Sequence, residues 1–245
     1  MVRYFIELAY NGSRYHGWQI QPGASSVQEE INRALSTLLR QDIYVVGAGR
    51  TDTGVHASFF VAHFDTECEL PEPQQVVYKL NGLLDKDIAI YKIYRVPMDK
   101  HARFSAISRT YKYYIDKTKD PFTYPFAWKA YPLPDIQAMN EACRVLFDYT
   151  DFTSFSKLHT DVKTNNCIIY EAQWEETDKQ LIFTVKANRF LRNMVRAIVG
   201  TLIDVGRGKL TPEDVRKIIE SKNRCNAGTS VPAQALFLCH IEYPE

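Results

Sequence analysis

The first hundred residues alternate between strand and helix periodicity. Residues 3–10 alternate apolar and polar positions like a β-strand, and Asn11-Gly12-Ser13 ends that pattern. Val27, Ile31, Leu35 and Leu38 then recur at helical spacing, after a cap at Ser25 or Ser26. The pattern further predicts strands over residues 43–48, 59–64 and 88–96 and a helix over residues 73–84. The predicted order is β-α-β-β-α-β.

The second half repeats this order. It predicts a strand over residues 111–115, a helix from Pro134-Asp135 to Leu146, a hairpin of residues 168–176 and 181–187, a long helix over residues 189–204, a helix capped at Thr211 and a last strand over residues 236–243. A doubled unit of this kind predicts an α+β fold with two ferredoxin-like, split βαβ halves. We expect the halves to span residues 1–105 and 106–245, with antiparallel sheets that abut around a central active-site cleft.

Composition narrows the class of protein. With 245 residues, 45% hydrophobic and 24% charged, the chain is typical of a globular protein. No stretch approaches the run of roughly 20 apolar residues that spans a membrane, and the N-terminus is more typical of a strand than of a signal peptide. Five cysteines without a CxxC pair argue against a disulfide framework or a structural zinc site. We therefore expect a cytoplasmic protein without a metal site.

Local charge is more informative than the net charge of +1. Residues 101–119 hold five Lys and Arg against one acid, and residues 186–209 hold six against one. Such basic segments in a nearly neutral chain are typical of a phosphate-binding face. They are equally typical of two solvated basic surfaces, and the residues alone leave both interpretations open.

The segment with the clearest chemical character is Gly47-Ala48-Gly49-Arg50-Thr51-Asp52-Thr53-Gly54-Val55-His56-Ala57. Three glycines flank a carboxylate that follows a predicted strand, and such loops on a rigid scaffold often carry catalytic groups. Glycine also permits a close approach of a substrate. Asp52 is equally well interpreted as a turn residue with Arg50 as its ion-pair neighbour, because Gly, Asp and Thr are common in turns.

Residues 49–57 resemble the signature of the TruA family of tRNA pseudouridine synthases. Further segments resemble motifs of that family in the same order, and they cover nearly the whole chain. These segments are residues 10–19 (YNGSRYHGWQ), 26–29 (SVQE), 101–106 (HARFSA), 151–155 (DFTSF) and 193–200 (NMVRAIVG). The resemblance implies a tRNA pseudouridine synthase, an isomerase that converts uridine to pseudouridine at positions 38, 39 and 40 of the anticodon stem-loop.

The resemblance also assigns residues. It implies that Asp52 is the catalytic aspartate, that Tyr111 contacts the substrate, that Arg50 helps to extrude the target nucleotide and that Arg196 pairs with the catalytic carboxylate. The catalytic loop then belongs to residues 1–105, and the substrate tyrosine and a basic helix belong to residues 106–245. The resemblance implies transfer RNA as partner and a homodimer. The isomerisation oxidises nothing and transfers no group in, so no cofactor is expected.

Two arginines on the long predicted helix, Arg189 and Arg192, are candidate phosphate contacts because they share a face with Arg196. Trp18 is more typical of packing than of base stacking, and His16 is a candidate RNA contact. Three residues depart from the family pattern: Thr53 replaces Ala, Ala235 replaces Gly, and Lys163 begins a Lys-Thr-Asn segment where Arg-Thr is usual. A related RNA pseudouridine synthase with another target site, or a catalytically inactive RNA-binding protein, remain as alternatives.

Overall fold

The computed structural model describes residues 1–157 and 164–244 of the chain, which form two compact units. The first comprises Met1–Ile107 and Leu238–Glu245, and the second comprises Ser108–Phe237. The sequence predicts a division between residues 105 and 106, whereas these units divide between residues 107 and 108. Leu238–Glu245 also belongs to the first unit and not to the second. Both units combine helices with antiparallel strands, so the predicted α+β class is confirmed. The predicted cleft between abutting sheets stays a prediction.

The first unit contains the β-α-β-β-α-β order that the sequence predicts. Its elements are β1 (Val2–Tyr10), α1 (Val27–Leu39), β2 (Val46–Gly47), β3 (His56–Thr66), α2 (Pro73–Leu83) and β4 (Ile88–Val96), and it is joined by most of the last strand of the chain, β8 (Leu236–Glu242). Strand β1 lies between β3 and β4 and is antiparallel to both, and β2 pairs with β3. The order β4-β1-β3-β2 is that of a split βαβ unit. Strand β8 also lies beside β3.

The core of the first unit explains why these elements form. Tyr4, Ile6 and Leu8 of β1 are buried, and so are Ile31 and Leu35 at helical spacing on α1. Burying each such side chain contributes about 1.5–3 kcal/mol. The helix begins where the Ser26 side chain accepts a hydrogen bond from the backbone N–H of Glu29, as the capping pattern predicts.

Strand β2 is shorter than predicted, because side chains of α1 bind the backbone that precedes it. The backbone N–H of Ile43 donates to Ser36 Oγ, and that of Val45 donates to Asn32 Oδ1. Gln28 Nε2 donates to the Val45 carbonyl at 2.7 Å. These helix side chains bind backbone groups that a partner strand would otherwise bind, and the strand itself comprises Val46 and Gly47, which pair with β3.

Within its described residues, the second unit contains three antiparallel strands in the order β5-β7-β6 and three α-helices. The elements are β5 (Ser108–Asp116), α3 (Ile136–Val145), β6 (Ile169–Glu176), β7 (Gln180–Ala187), α4 (Met194–Gly206) and α5 (Pro212–Glu220). Asp135 caps α3, and Thr211 with Asp214 forms the capping box of α5. Across the described ranges, no helix is both long enough and apolar enough to cross a bilayer.

The prediction of a helix from residue 189 is wrong, because α4 begins at Met194. Asn193 has a left-handed backbone with φ of 66°, and its side chain donates to Ser230 Oγ at 2.6 Å. The carbonyl of Arg192 accepts a hydrogen bond from the backbone of Lys157. Because Asn193 is left-handed and the Arg192 carbonyl is bound by Lys157, Arg189 and Arg192 lie in an irregular segment before α4. They therefore share no helical face with Arg196.

A buried histidine anchors residues 101–105 to the sheet of the first unit. His63 on β3 is only 4% exposed, and its Nδ1 accepts a hydrogen bond from the backbone N–H of Ala102. Burial, with smaller contributions from the positive charges of Arg3 and His101, lowers the pKa of His63 to about 4, although the negative charge of Asp65 opposes this shift. The folded state therefore holds this imidazole neutral.

We predict that this histidine makes the protein sensitive to acid. The pKa of His63 is depressed on folding, so its contribution to stability is complete above about pH 6.5 and is lost as the pH falls towards 4. His63→Asn keeps an acceptor near the position of Nδ1 but does not titrate. Thermal melting between pH 7 and pH 4 should show a smaller decrease for His63→Asn than for the wild type, and the exposed-site control His16→Asn should behave like the wild type. Identical decreases in all three proteins would contradict this account.

Candidate active site

The loop between β2 and β3 carries Asp52, and successive residues of this loop differ in their exposure to solvent. Arg50 and Thr53 are exposed, Thr51 is buried, and Asp52 is half-buried. The backbone N–H of Val55 donates to the Asp52 carbonyl at 3.1 Å, which closes a turn directly after the carboxylate. Gly54 in this turn has φ of +77°. The loop thus fixes its backbone while the Asp52 side chain stays partly accessible to solvent.

The segment that follows β1 holds this loop in place. Tyr10 Oη and Thr51 Oγ1 form a buried hydrogen bond of 2.8 Å. The backbone N–H of Trp18 donates to the Thr51 carbonyl at 3.3 Å, and the N–H of Gly54 donates to the Tyr15 carbonyl at 3.4 Å. Residues on both sides of Asp52 are therefore bound to residues 10–19, which we call the opening motif.

Glycines in the opening motif permit this close contact. A Cβ atom on Gly17 would lie 2.3 Å from the Thr51 carbonyl oxygen, and one on Gly12 would lie 2.0 Å from the Val55 carbonyl oxygen. The backbone of Gly17 is also left-handed, with φ of +90°. The N–H of Gly12 donates to His56 Nδ1 at 3.1 Å. Gly12 and Gly17 have no side chain that could react, and their role is to position the loop that carries Asp52.

Trp18 is a packing residue, as the sequence favoured. Its side chain is 2% exposed, and its ring stacks on Phe60 with 4.1 Å between centroids. Gly47 makes room for this ring, since a Cβ there would lie 2.5 Å from it. His16 is exposed, and an RNA contact of His16 stays a prediction.

Tyr111 lies on β5 of the second unit, opposite Val185 of β7. Its half-buried ring meets the Phe190 ring edge to face, with centroids 5.1 Å apart and an interplanar angle of 85°. Phe190 falls within the helix predicted over residues 189–204, but it lies in the irregular segment before α4. The sequence signal for this contact is that Phe190 comes just after β7, the strand that pairs with the strand of Tyr111.

The neighbouring Tyr113 has a structural role. It is fully buried, and its hydroxyl donates to the Pro232 carbonyl at 3.0 Å. Burial raises the pKa of this phenol, and the charge of Arg196 opposes that effect. Of the two tyrosines, Tyr111 is the more accessible.

Arg196 lies in the first turn of α4, and two hydrogen bonds join it to the segment before β8. Its Nε donates to the Val231 carbonyl at 2.7 Å, and its own carbonyl accepts from the N–H of Val231 at 3.3 Å. The guanidinium group is thereby held by its inner nitrogen and is half-buried. The predicted pairing of Arg196 with Asp52 stays a prediction.

The remaining arginine candidates and the departures from the family pattern differ in their surroundings. Arg192 is exposed and Arg189 is half-buried. Thr53 is exposed, so a threonine is accommodated there, and Ala235 is fully buried at the end of a 3₁₀ turn. Lys163 lies outside the described residues.

The motif of residues 151–155 stabilises the second unit. Phe152 and Phe155 are fully buried. Ser154 Oγ donates to the Ile218 carbonyl at 2.6 Å and accepts from the N–H of Asn223 at 3.1 Å. This motif therefore ties the end of α5 to the rest of the unit.

Asp52, Tyr111 and Arg196 are the residues for which the family resemblance predicts roles in the reaction. A family model described as tRNA pseudouridine synthase matches residues 8–105 and 142–244. The chain belongs to the tRNA pseudouridine synthase family.

Similar curated proteins carry the name tRNA pseudouridine synthase A. The protein of Bacteroides thetaiotaomicron is 59% identical over 248 residues, which cover 100% of this chain and 92% of that protein. The protein of Bacteroides fragilis is 59% identical over 99% of this chain and 97% of its own length. The protein of Bacillus subtilis is 38% identical over 99% of both chains.

We predict that Gly17→Ala abolishes most pseudouridine formation, because the added methyl group displaces the Thr51 carbonyl next to Asp52. Gly23→Ala is the matched control. Gly23 is also left-handed, with φ of +72°, but a Cβ there meets nothing within 4 Å. Both variants carry the cost of a left-handed alanine, about 1–2 kcal/mol, and only Gly17→Ala also disturbs the loop.

Thermal melting and pseudouridine formation in tRNA, measured on the same preparations, separate these two effects. The control should melt slightly below the wild type and keep nearly full activity. Equal activities of the two variants would show that the close approach of Gly17 to Thr51 does not matter for the reaction.

Proposed function

We propose that this member of the tRNA pseudouridine synthase family isomerises uridine in the anticodon stem-loop of tRNA, at positions 38, 39 and 40, with Asp52 as the catalytic group. The observation that carries the proposal is the setting of Asp52. Asp52 is half-buried on a loop in which Thr51 and Val55 are buried, and Thr51 and Gly54 are hydrogen-bonded to the opening motif. A catalytic carboxylate needs this combination of a fixed backbone and an accessible side chain.

The reaction breaks the C1′–N1 bond of uridine, turns the uracil and forms a C1′–C5 bond. The proton on C5 leaves, and N1 gains one, so that substrate and product are isomers. Asp52 starts the reaction either by attack on C1′, as in retaining glycosidases, or by removal of the C2′ proton to give a glycal. Both routes require an ionised Asp52, and both remain open.

Tyr111 is proposed to contact the uracil through its ring and to place its hydroxyl near the reacting sugar. The edge-to-face contact with Phe190 supports this role, because it restricts the orientation of the Tyr111 ring. Arg196 is proposed to keep Asp52 ionised through its opposite charge. The hydrogen bond from Arg196 Nε to Val231 supports this role by holding the guanidinium in one place.

Arg50, Arg189 and Arg192 are proposed to bind the RNA backbone around the target. Extruding a nucleotide from a helix costs a few kcal/mol, and the exposed side chain of Arg50 is suited to fill the vacated space. Arg192 is exposed on an irregular segment, where a long side chain reaches phosphate more easily than on a packed helix face. We further propose a cytoplasmic homodimer that acts without a cofactor.

Asp52→Asn tests the proposal most directly. The change replaces one carboxylate oxygen by an amide, which is both a poor nucleophile and a poor base, so pseudouridine formation should fall below detection. The melting temperature should change little, within the roughly 1 kcal/mol of an average point mutation. Binding of tRNA should persist, because other residues supply the cations.

The control for Asp52→Asn is Asp42→Asn, which removes an exposed carboxylate elsewhere in the first unit. It should be fully active. Retained isomerase activity in Asp52→Asn would exclude the proposed role. Loss of activity together with a large drop in melting temperature would instead assign Asp52 to the structure of the loop.

Arg192→Ala should weaken binding of different tRNAs alike and reduce the salt dependence of binding. Each lost phosphate contact lowers the slope of log affinity against log salt by about 0.7–0.9. Filter binding across a salt series measures this slope. Arg33→Ala serves as the control, because Arg33 is exposed but ion-paired with Glu30 on α1. A slope unchanged in Arg192→Ala would exclude a backbone contact.

A further inference from the structure

We propose that the tip of the turn formed by residues 101–105, with Phe104 and Arg103, is a nucleobase-stacking subsite that binds an unpaired or terminal RNA base outside the reacting uridine. The proposal rests on the proposed function in one respect, namely that the substrate is RNA. It adds a binding site in the first unit.

Phe104 is not a core residue. Its side chain is 76% exposed, although Ala102, two residues earlier, is fully buried. An exposed phenyl ring contributes little to folding, since most of its apolar surface stays in water. A large ring at the tip of a turn is instead available to a partner that presents a flat π surface.

The turn is held rigidly. The N–H of Ser105 donates to the His101 carbonyl at 2.9 Å, and the N–H of His101 donates to Ser105 Oγ at 2.8 Å. His101 Nδ1 accepts from the N–H groups of Arg103 and Phe104 at 3.1 and 3.3 Å. The backbone at the tip is therefore bound within the turn.

Two further hydrogen bonds tie the turn to the first unit through Ala102. Its N–H donates to His63 Nδ1 at 3.1 Å, and its carbonyl accepts from the Tyr243 hydroxyl at 2.6 Å. A ring on such a fixed base loses little freedom when a ligand binds, which favours affinity.

The groups around the ring fit a nucleotide. The His101 ring lies against Phe104 with 4.4 Å between centroids, and the Arg103 guanidinium lies 5.5 Å from the Phe104 centroid. Most of the ring remains open to solvent despite these two contacts. A base that stacks on the open surface brings its own phosphate near the Arg103 cation. Aromatic stacking beside a cation is the combination that binds single-stranded nucleic acid.

Charge also favours RNA over an apolar protein partner. Arg103 at the tip and Lys100 before it place cations beside the ring in the chain. A hydrophobic partner surface would have to desolvate these charges, whereas an RNA backbone neutralises them.

Three variants of Phe104 test the subsite. Phe104→Ala removes the ring, Phe104→Leu keeps an apolar side chain without a π face, and Phe104→Tyr keeps the ring. We expect tRNA to bind roughly 5- to 100-fold more weakly to the Ala and Leu variants, and nearly as in the wild type to Phe104→Tyr. The salt slope should be unchanged, because all three variants keep Arg103 and the other cations that neutralise phosphates. The melting temperatures should match the wild type.

Tyr78→Ala is the matched control, because Tyr78 is 82% exposed on α2 and is flanked by no such turn. It should bind tRNA like the wild type. Equal affinity of Phe104→Ala and Tyr78→Ala would overturn the subsite. Tight binding by Phe104→Leu would also overturn it, because that result would show a hydrophobic contact and not a stack.

Binding of tRNA is measured in the Asp52→Asn background as well as in the wild type. The experiment then tests the catalytic role of Asp52 and the Phe104 subsite independently of each other. If Asp52→Asn retains isomerase activity while Phe104→Ala weakens binding, the catalytic assignment fails and the subsite stands. If Asp52→Asn is inactive while Phe104→Ala binds normally, the subsite fails and the catalytic assignment stands. In steady-state kinetics, Phe104→Ala should raise KM and leave kcat near the wild-type value.

Discussion

The close approach of two backbone segments, residues 10–18 and residues 51–55, underlies the arrangement of the first unit. Gly17 meets the Thr51 carbonyl where no side chain fits, and Tyr10 holds Thr51 through a buried hydrogen bond. The backbone of Asp52 is fixed because its neighbours in the chain are fixed. In the function that we propose, the main role of residues 10–18 is therefore to position this carboxylate.

Periodicity was enough to predict most elements, because burial and capping act locally. The helices from Val27, Pro73 and Pro212 form where their apolar spacing indicates, and those from Val27 and Pro212 also have side-chain caps. The failures lie where side chains compete for backbone hydrogen bonds. Asn32 and Gln28 bind the backbone before β2. Asn193 has a left-handed backbone inside the predicted helix of residues 189–204, and the helix therefore begins only at Met194. A pattern of apolar residues does not record such competition.

The candidate site was predictable in part. Asp52 stands out only as one carboxylate among glycines, and it needed the family resemblance to be distinguished from a turn residue. Phe190 was missed as a neighbour of Tyr111, because the contact depends on the register of β5 against β7 and on where α4 begins. The turn of residues 101–105 likewise has a recognisable motif, but its hydrogen bonds and the exposure of Phe104 are visible only in three dimensions.

The position of β8 has a consequence for how the chain is made. This strand lies beside β3, yet the whole of the second unit separates the two in the sequence. Because synthesis proceeds from the N-terminus, an edge of β3 is exposed long before β8 emerges. The second unit is synthesised in the interval. Exposed strand edges favour pairing with other chains. The growing chain therefore carries the loop of Asp52 next to an unfinished sheet until β8 has been synthesised.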